Sequence, residues 1–173
     1  MEAERTISRP RAAVPTSHSD YALEKFCIPM LKPLHYKEVF QTTCYHRVQL
    51  IKRGIAASVL TQLAKSMRVS QDHLIASLGF PRTGIMRKIQ RRQNLSVAQA
   101  ERVIGLAKLI GQIEIMVATP EVSDFNAAQW LGDWLCHPLP ALGNHQPEEY
   151  VDTLTGQEIL SSLLSQMQSG AYA

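Results

Sequence analysis

Cysteines and long apolar runs are scarce in this chain, and each scarcity closes off a class of protein. Three cysteines in 173 residues, Cys27, Cys44 and Cys136, are an odd number at wide spacing. They build neither a disulfide framework nor a CxxC metal knuckle, and a reducing compartment suits them. The longest apolar stretch, Val103 to Ala118, is interrupted by Lys108 and Glu114, and the opening MEAERTISRPRAAVP has charge and proline where a signal peptide needs an apolar centre. The expectation is a soluble cytoplasmic protein with no membrane partner. GxSxG, HExxH, GxGxxG and a P-loop are absent. His46 lies two residues from Cys44 and Cys136 adjoins His137, yet neighbours point apart on a helix and neither pair brings a third ligand or an orienting acid. His18, His35, His73 and His145 are scattered. No catalytic residue, metal site or cofactor is expected.

Proline is missing between Leu34 and Thr119 except at Pro81, where a helix can begin. With 45% hydrophobic residues the chain can bury one core or two small ones. Residues 1 to 20 are polar and proline-punctuated, a composition that buries too little surface to offset ordering entropy. Tyr21 to Leu34 adds Leu23, Phe26, Ile28, Met30 and Leu31 and is expected to pack. Lys37 to Lys52 reads as one helix ending near Gly54, with Val39, Phe40, Tyr45, Val48 and Ile51 on one side.

Three short pieces come next. Ala56 to Met67 places Val59, Leu60, Leu63, Ala64 and Met67 on one stripe; Ser70 is a candidate N-cap for a helix through Leu78, ended by Gly79; Pro81 opens RTGIMRKIQRR. Two short helices joined by a tight turn and followed by a basic one are the organisation of a helix-turn-helix. Ser96 and Gln99 form a capping box for a long helix, along which Val97, Ala100, Val103, Ile104, Ala107, Ile110, Ile113 and Val117 recur at steps of three and four. Ser123 or Asp124 should cap a helix running to Leu135, and Thr155 with Glu158 should box a final amphipathic helix. No strand pair stands out. The fold class is all-α: a leader over 1–35, partly ordered after 21, a helix-turn-helix domain over 36–95, and a small helical domain over 96–173 whose long first helix suits a homodimer interface.

Charge is uneven. Residues 47 to 92 hold ten basic side chains against the single acid Asp72, and residues 93 to 173 hold two basic against nine acidic, so a net +3 hides local balances of +9 and −7. On the basic helix, Arg87, Lys88, Arg91 and Arg92 form like-charge pairs that cost an isolated helix roughly 0.2–0.5 kcal/mol each. These charges and Gly84 are expected on the side of the helix opposite Ile85 and Ile89. A solvated face is the plain reading of such a helix. The position after a turn, with no acid to offset repulsion, points instead to operator DNA: Arg82 and Thr83 at base edges, Arg87, Lys88, Arg91 and Arg92 at phosphates.

Trp130 and Trp134, the only tryptophans, stand four residues apart beside Leu131 and Leu135. A pair of core aromatics is the plain reading. The stretch beyond them is more particular. An alanine-rich helix ending in Trp-Leu, then Pro-x-Pro-Ala-Leu-Gly from Pro138 through Leu142 and Gly143, Pro147 opening a short helix, Thr153-x-x-Gly156 and a final Gly170-x-Tyr172 resemble the toxin-binding domain of the Xre/MbcA/ParS antitoxin family. Upstream, Gly54, Leu78-Gly79, Arg82-Thr83 and Leu95-Ser96 extend the resemblance to roughly residues 50 to 173. It implies an antitoxin that neutralises a cognate toxin protein, usually of the NAD-consuming RES type, and represses its own operon.

In that frame Trp130, Trp134, Leu135, Pro138, Leu142, Gly143, Pro147 and Gly156 shape or present the toxin-binding domain, Gly143 and Gly156 by permitting turns. Gly170, Ala171, Tyr172 and Ala173 at the chain end are expected to enter the toxin's cleft. Two departures stand out: Asn144 replaces a frequent glycine, and Glu148, Glu149 and Tyr150 are more polar than the usual aliphatic pair. A plain helix-turn-helix repressor whose carboxyl-terminal domain only dimerises or senses a ligand is the alternative.

Overall fold

The structure is a computed structural model that describes residues 35–117 and 125–170. The expected packing of Tyr21–Leu34, the caps at Ser123 or Asp124, and Ala171, Tyr172 and Ala173 lie outside those residues. Eight α-helices are present among them: α1 (Tyr36–Gln41), α2 (Cys44–Arg53), α3 (Val59–Met67), α4 (Gln71–Ser77), α5 (Arg82–Gln90), α6 (Val97–Met116), α7 (Ala127–Leu135) and α8 (Leu154–Ser169), with 3₁₀ turns at Pro140–Leu142 and Pro147–Tyr150 between the last two. Two isolated bridges, Ala56 with Asn94 and Leu139 with His145, are the only β pairing among the described residues. The all-α expectation holds.

The middle of the fold is α6. Ser96 Oγ accepts from Gln99 N at 3.3 Å while Gln99 Oε1 accepts from Ser96 N at 3.0 Å, so the expected capping box starts the helix. The stripe read from the sequence is buried except at Val97, 55% exposed, and Val117, half-buried. Leu106, Leu109, Gly111 and Gln112 are buried as well, so the helix is covered on nearly every side. α1, α2, α7 and α8 pack around it. One contiguous core runs from Tyr36 to Leu164.

α3 carries the expected stripe, all five residues of it buried. It begins at Val59, later than Ala56, because Ala56 is taken up in pairing with the far end of the segment. Ala57 N donates to Gln93 O at 3.0 Å and Leu95 N to Ile55 O at 2.8 Å, which closes residues 55–95 on themselves. Ser70 caps α4 by accepting from His73 N at 3.1 Å, and Gly79, at φ +66°, ends that helix.

Three expectations fail for local reasons. Lys37–Lys52 is not one helix: Thr42 is extended, and Thr43 caps a new helix by accepting from His46 N at 3.3 Å. The break turns Tyr45 and Val48 outward, 63% and 44% exposed. The helix before the Trp pair is capped by Asn126, whose Oδ1 accepts from Gln129 N at 3.1 Å, and not by Ser123 or Asp124. The last helix starts two residues earlier than the Thr155–Glu158 box requires. Thr153 Oγ1 accepts from Gly156 N at 3.0 Å, and Thr155 is an exposed first-turn residue.

The caps give a paired prediction. Thr153→Ala should lower stability by about 1 kcal/mol through loss of the N-cap, whereas Thr155→Ala should stay within about 0.5 kcal/mol of wild type; urea unfolding followed by far-UV circular dichroism measures both.

Candidate functional site: a basic helix and a tryptophan-bearing carboxyl-terminal segment

α4 and α5 are joined by the four residues 78–81, and α5 sets Ile85 into the core while Arg82, Thr83 and Arg87 stay exposed. The structure distributes the expected DNA-contacting charges unevenly. Arg82 holds Asp72 through two hydrogen bonds, Nε to Oδ1 at 2.7 Å and Nη2 to Oδ2 at 2.8 Å. The guanidinium keeps the Asp72 carboxyl below its usual pKa, the hydrogen bond being the main cause, and Arg82 is raised in turn. Lys88 is half-buried and donates from Nζ to Gln99 Oε1 at 2.8 Å, so it supports the capping box of α6 instead of standing opposite Ile85. The helix ends at Gln90: Arg91 is its C-cap and Arg92 has a left-handed φ of 52°. The expected run through Arg92 is therefore two residues too long, and the Lys88–Arg92 helical pair does not form. Arg87, Arg91 and Arg92 are exposed.

In the carboxyl-terminal segment Leu131, Trp134 and Leu135 are buried and Trp130 is half-buried. The two indoles stack at 5.9 Å and 15°, with Phe125 tilted against Trp130 at 6.5 Å. The plain reading of the Trp pair thus accounts for Trp134. Its Nε1–H is buried without a hydrogen-bond partner, a group that costs about 1–3 kcal/mol when left unmade. Gly132, one turn before Cys136, lies against α3: a Cβ there would stand 2.5 Å from Met67 O.

Pro138 is exposed, Leu142 is buried under the first 3₁₀ turn, and Pro147 is buried at the start of the second. Gly143 and Asn144 both have φ of +65°, so the asparagine substitutes where a left-handed backbone is needed, as its tolerance of that region allows. Gly156 acts differently from the expected turn. It is helical, inside the first turn of α8, and its missing side chain admits Tyr150 O, which would lie 2.0 Å from a Cβ. Gly170, at φ +69°, caps the end of α8.

The polar departures Glu148 and Glu149 find histidines. His73 Nε2 lies 3.0 Å from Glu148 Oε2, and His145 Nδ1 lies 3.2 Å from Glu149 Oε2. Cys136 Sγ sits near the first pair, and burial first, then the Glu148 and Asp133 carboxylates, pushes its pKa up. His137, its sequence neighbour, instead places Nδ1 2.7 Å from Asp133 O.

Sequence reasoning missed two glutamines that lock this segment to the rest. Gln112 Nε2 donates to Ser161 O at 2.9 Å and Ser165 Oγ at 3.0 Å, and Ser161 Oγ donates back to Gln112 Oε1 at 2.7 Å. Gln157 Nε2 donates to Val151 O at 2.7 Å and Arg102 O at 3.0 Å. Both are buried on apolar faces, and a buried glutamine in such a stripe is the signal that marks an interhelical lock. A concavity of about 390 Å³ beside Gln157 lies between α2, α6 and the start of α8 and is lined in part by Val48, Ile51, Ile104 and Leu154.

Residues 125–170, from Phe125 through α8, match the family model described as the antitoxin Xre/MbcA/ParS C-terminal toxin-binding domain. Over 142 residues, 82% of this chain and 89% of the relative, the sequence is 40% identical to the Prs ADP-ribosylating antitoxin of Sphingobium sp. (strain YBL2). The fold and its carboxyl-terminal site are therefore those of an antitoxin, a regulatory partner of a toxin. The chain belongs to the Xre/MbcA/ParS antitoxin family. No helix among the described residues is long and apolar enough to cross a membrane.

The seat of α7 on α3 is testable. Alanine at position 132 would gain up to about 1 kcal/mol of helix propensity, but its methyl group meets backbone, where overpacking costs about 1–3 kcal/mol. Gly132→Ala should thus lower the thermal midpoint despite the better helix former, measured by differential scanning calorimetry.

Proposed function

We propose that this protein is the antitoxin of a type II toxin–antitoxin pair that occludes a cognate toxin of the NAD-consuming RES type with its carboxyl-terminal segment and represses its own operon through α4 and α5. The observation that carries this reading is the 40% identity to an antitoxin across most of both chains. That relative's name couples it to ADP-ribosylation, a transfer whose usual donor is NAD, which supports a toxin of that chemistry. Neutralisation is stoichiometric. The toxin-binding domain is held as a rigid body by Gln112, Gln157 and the stacked indoles, so little ordering entropy is lost on docking. Its acidic surface complements a cleft built for dinucleotide phosphates.

Residues 170–173 supply the blocking element. α8 ends at Ser169, with Gly170 as its C-cap. Deleting residues 170–173 should abolish or strongly weaken protection in cells expressing the toxin from the neighbouring reading frame, while far-UV helicity is kept. Full protection by the truncated chain refutes this placement, and failure of the intact chain to copurify with that toxin refutes the antitoxin reading itself.

For DNA, α4, the four-residue turn and α5 act as the helix-turn-helix, two copies of the chain reading an operator. Arg87, Arg91 and Arg92 meet phosphates, and Arg82 and Thr83 stand at the end of α5 that enters the major groove. Arg82 reaches a base edge only by sharing or leaving Asp72, whereas Lys88 is tied to Gln99, which weights the phosphate role toward the three exposed arginines. Arg87→Ala with Arg91→Ala should weaken operator binding and reduce the log–log salt slope by about 1.8, at about 0.9 per phosphate contact. Fluorescence anisotropy over a salt series measures it; an unchanged slope removes α5 from the DNA.

A further inference from the structure

Cys136, a lone thiol next to His137 along the chain, has acquired a different set of neighbours by folding. His73 comes from α4, Cys136 from the C-cap of α7, and Glu148 from the second 3₁₀ turn. Their ligating atoms all lie within 4.8 Å of one another, with His73 Nε2 and Glu148 Oε2 already at 3.0 Å. Donor atoms around a tetrahedral zinc ion with bonds of about 2.0–2.3 Å are separated by roughly 3.3–3.8 Å. The separations of the three groups are thus within about 1.5 Å of that arrangement, a gap of the size that side-chain rotation covers.

The surroundings support such a site. Ser70 Oγ fixes the backbone of His73, and Gln146 Nε2 donates to Cys136 O at 3.1 Å, so two of the three ligands are held from behind. A depression of about 370 Å³ lined by His73, Ala76, Ser77, Glu148, Glu149 and Asp152 opens two of the three groups to solvent, and Cys136 is itself exposed, which gives an ion an entry path and a water its fourth position. A thiolate, an imidazole and one carboxylate select zinc-like ions over magnesium or calcium, which prefer all-oxygen shells.

We propose that His73, Cys136 and Glu148 form a three-ligand site for a divalent transition-metal ion of the zinc class, which bolts α4 to the carboxyl-terminal segment. The site does not depend on the antitoxin reading. Its polar departure from the family pattern at Glu148 becomes the supply of the third ligand.

The test uses the reduced, metal-free full chain and cobalt(II) as the probe. One equivalent of cobalt should produce a thiolate-to-metal charge-transfer band that zinc abolishes by displacement, and zinc should raise the thermal midpoint reversibly with chelator. The band should persist in Cys27→Ser/Cys44→Ser, where Cys136 is the sole thiol, and vanish in Cys136→Ser. His73→Asn and Glu148→Gln should each weaken cobalt binding at least about tenfold with helicity unchanged. No band in the wild-type chain, a band that survives Cys136→Ser, or undiminished affinity in His73→Asn overturns the proposal.

Discussion

A helix of twenty residues that is covered on nearly every side needs neighbours that come closer than side chains ordinarily allow. α6 meets this constraint at its glycines. At Gly111 a Cβ would lie 2.0 Å from Tyr36 O, so α1 can lay its backbone directly on α6; at Gly105 it would lie 1.7 Å from Gln157 Oε1, so α8 can insert a polar side chain. The remaining perimeter is aliphatic, and each fully buried leucine or isoleucine contributes roughly 1.5–3 kcal/mol relative to exposure. Placement of the basic helix and of the tryptophan segment both result from how they reach this one helix: α5 through the 55–95 closure and Lys88–Gln99, α8 through the two glutamines.

The parts of this arrangement that rest on local chemistry were legible in the sequence. Ser70 and Ser96 announce helix starts because a hydroxyl three residues ahead of an amide does the same thing in any context. The stripe of α3 and most of that of α6 declare themselves by period. Misreadings occur where two local solutions compete. Thr42–Thr43 and Thr153–Thr155 each offer more than one capping hydroxyl, and packing chose between them: Tyr36 and Val39 are buried against α6, and Tyr150 O needs Gly156 beside it. Val97 obeys the α6 period and is still exposed, since period locates a face without saying how far along the helix its neighbours extend.

The candidate sites were legible in composition and illegible in pairing. An excess of basic residues before position 92 is plain in the sequence, but the sequence does not say that Arg82 closes on Asp72 ten positions earlier or that Lys88 turns to Gln99. His73 and Glu148 are separated by 75 positions, and only the docking of α7 on α3 and of α8 on α6 brings them together. For the same reason the Glu148–Glu149–Tyr150 departure looks like a changed contact face when read linearly, while the fold shows both carboxylates engaged by histidines.

That engagement bears on how the two halves communicate. Under the proposed function, a toxin-dependent change in DNA affinity of the usual size would require coupling of about 1–3 kcal/mol. The direct polar links between the α4–α5 region and the carboxyl-terminal segment include the His73–Glu148 pair, with side chains 45% and 24% exposed, and a partly exposed pair of this kind contributes about 1 kcal/mol or less. On its own it is at the bottom of that range. The aliphatic core beneath is continuous from Tyr36 to Leu164. A ligand that draws His73, Cys136 and Glu148 together, as proposed above, would strengthen this surface contact and stiffen the junction without disturbing α6.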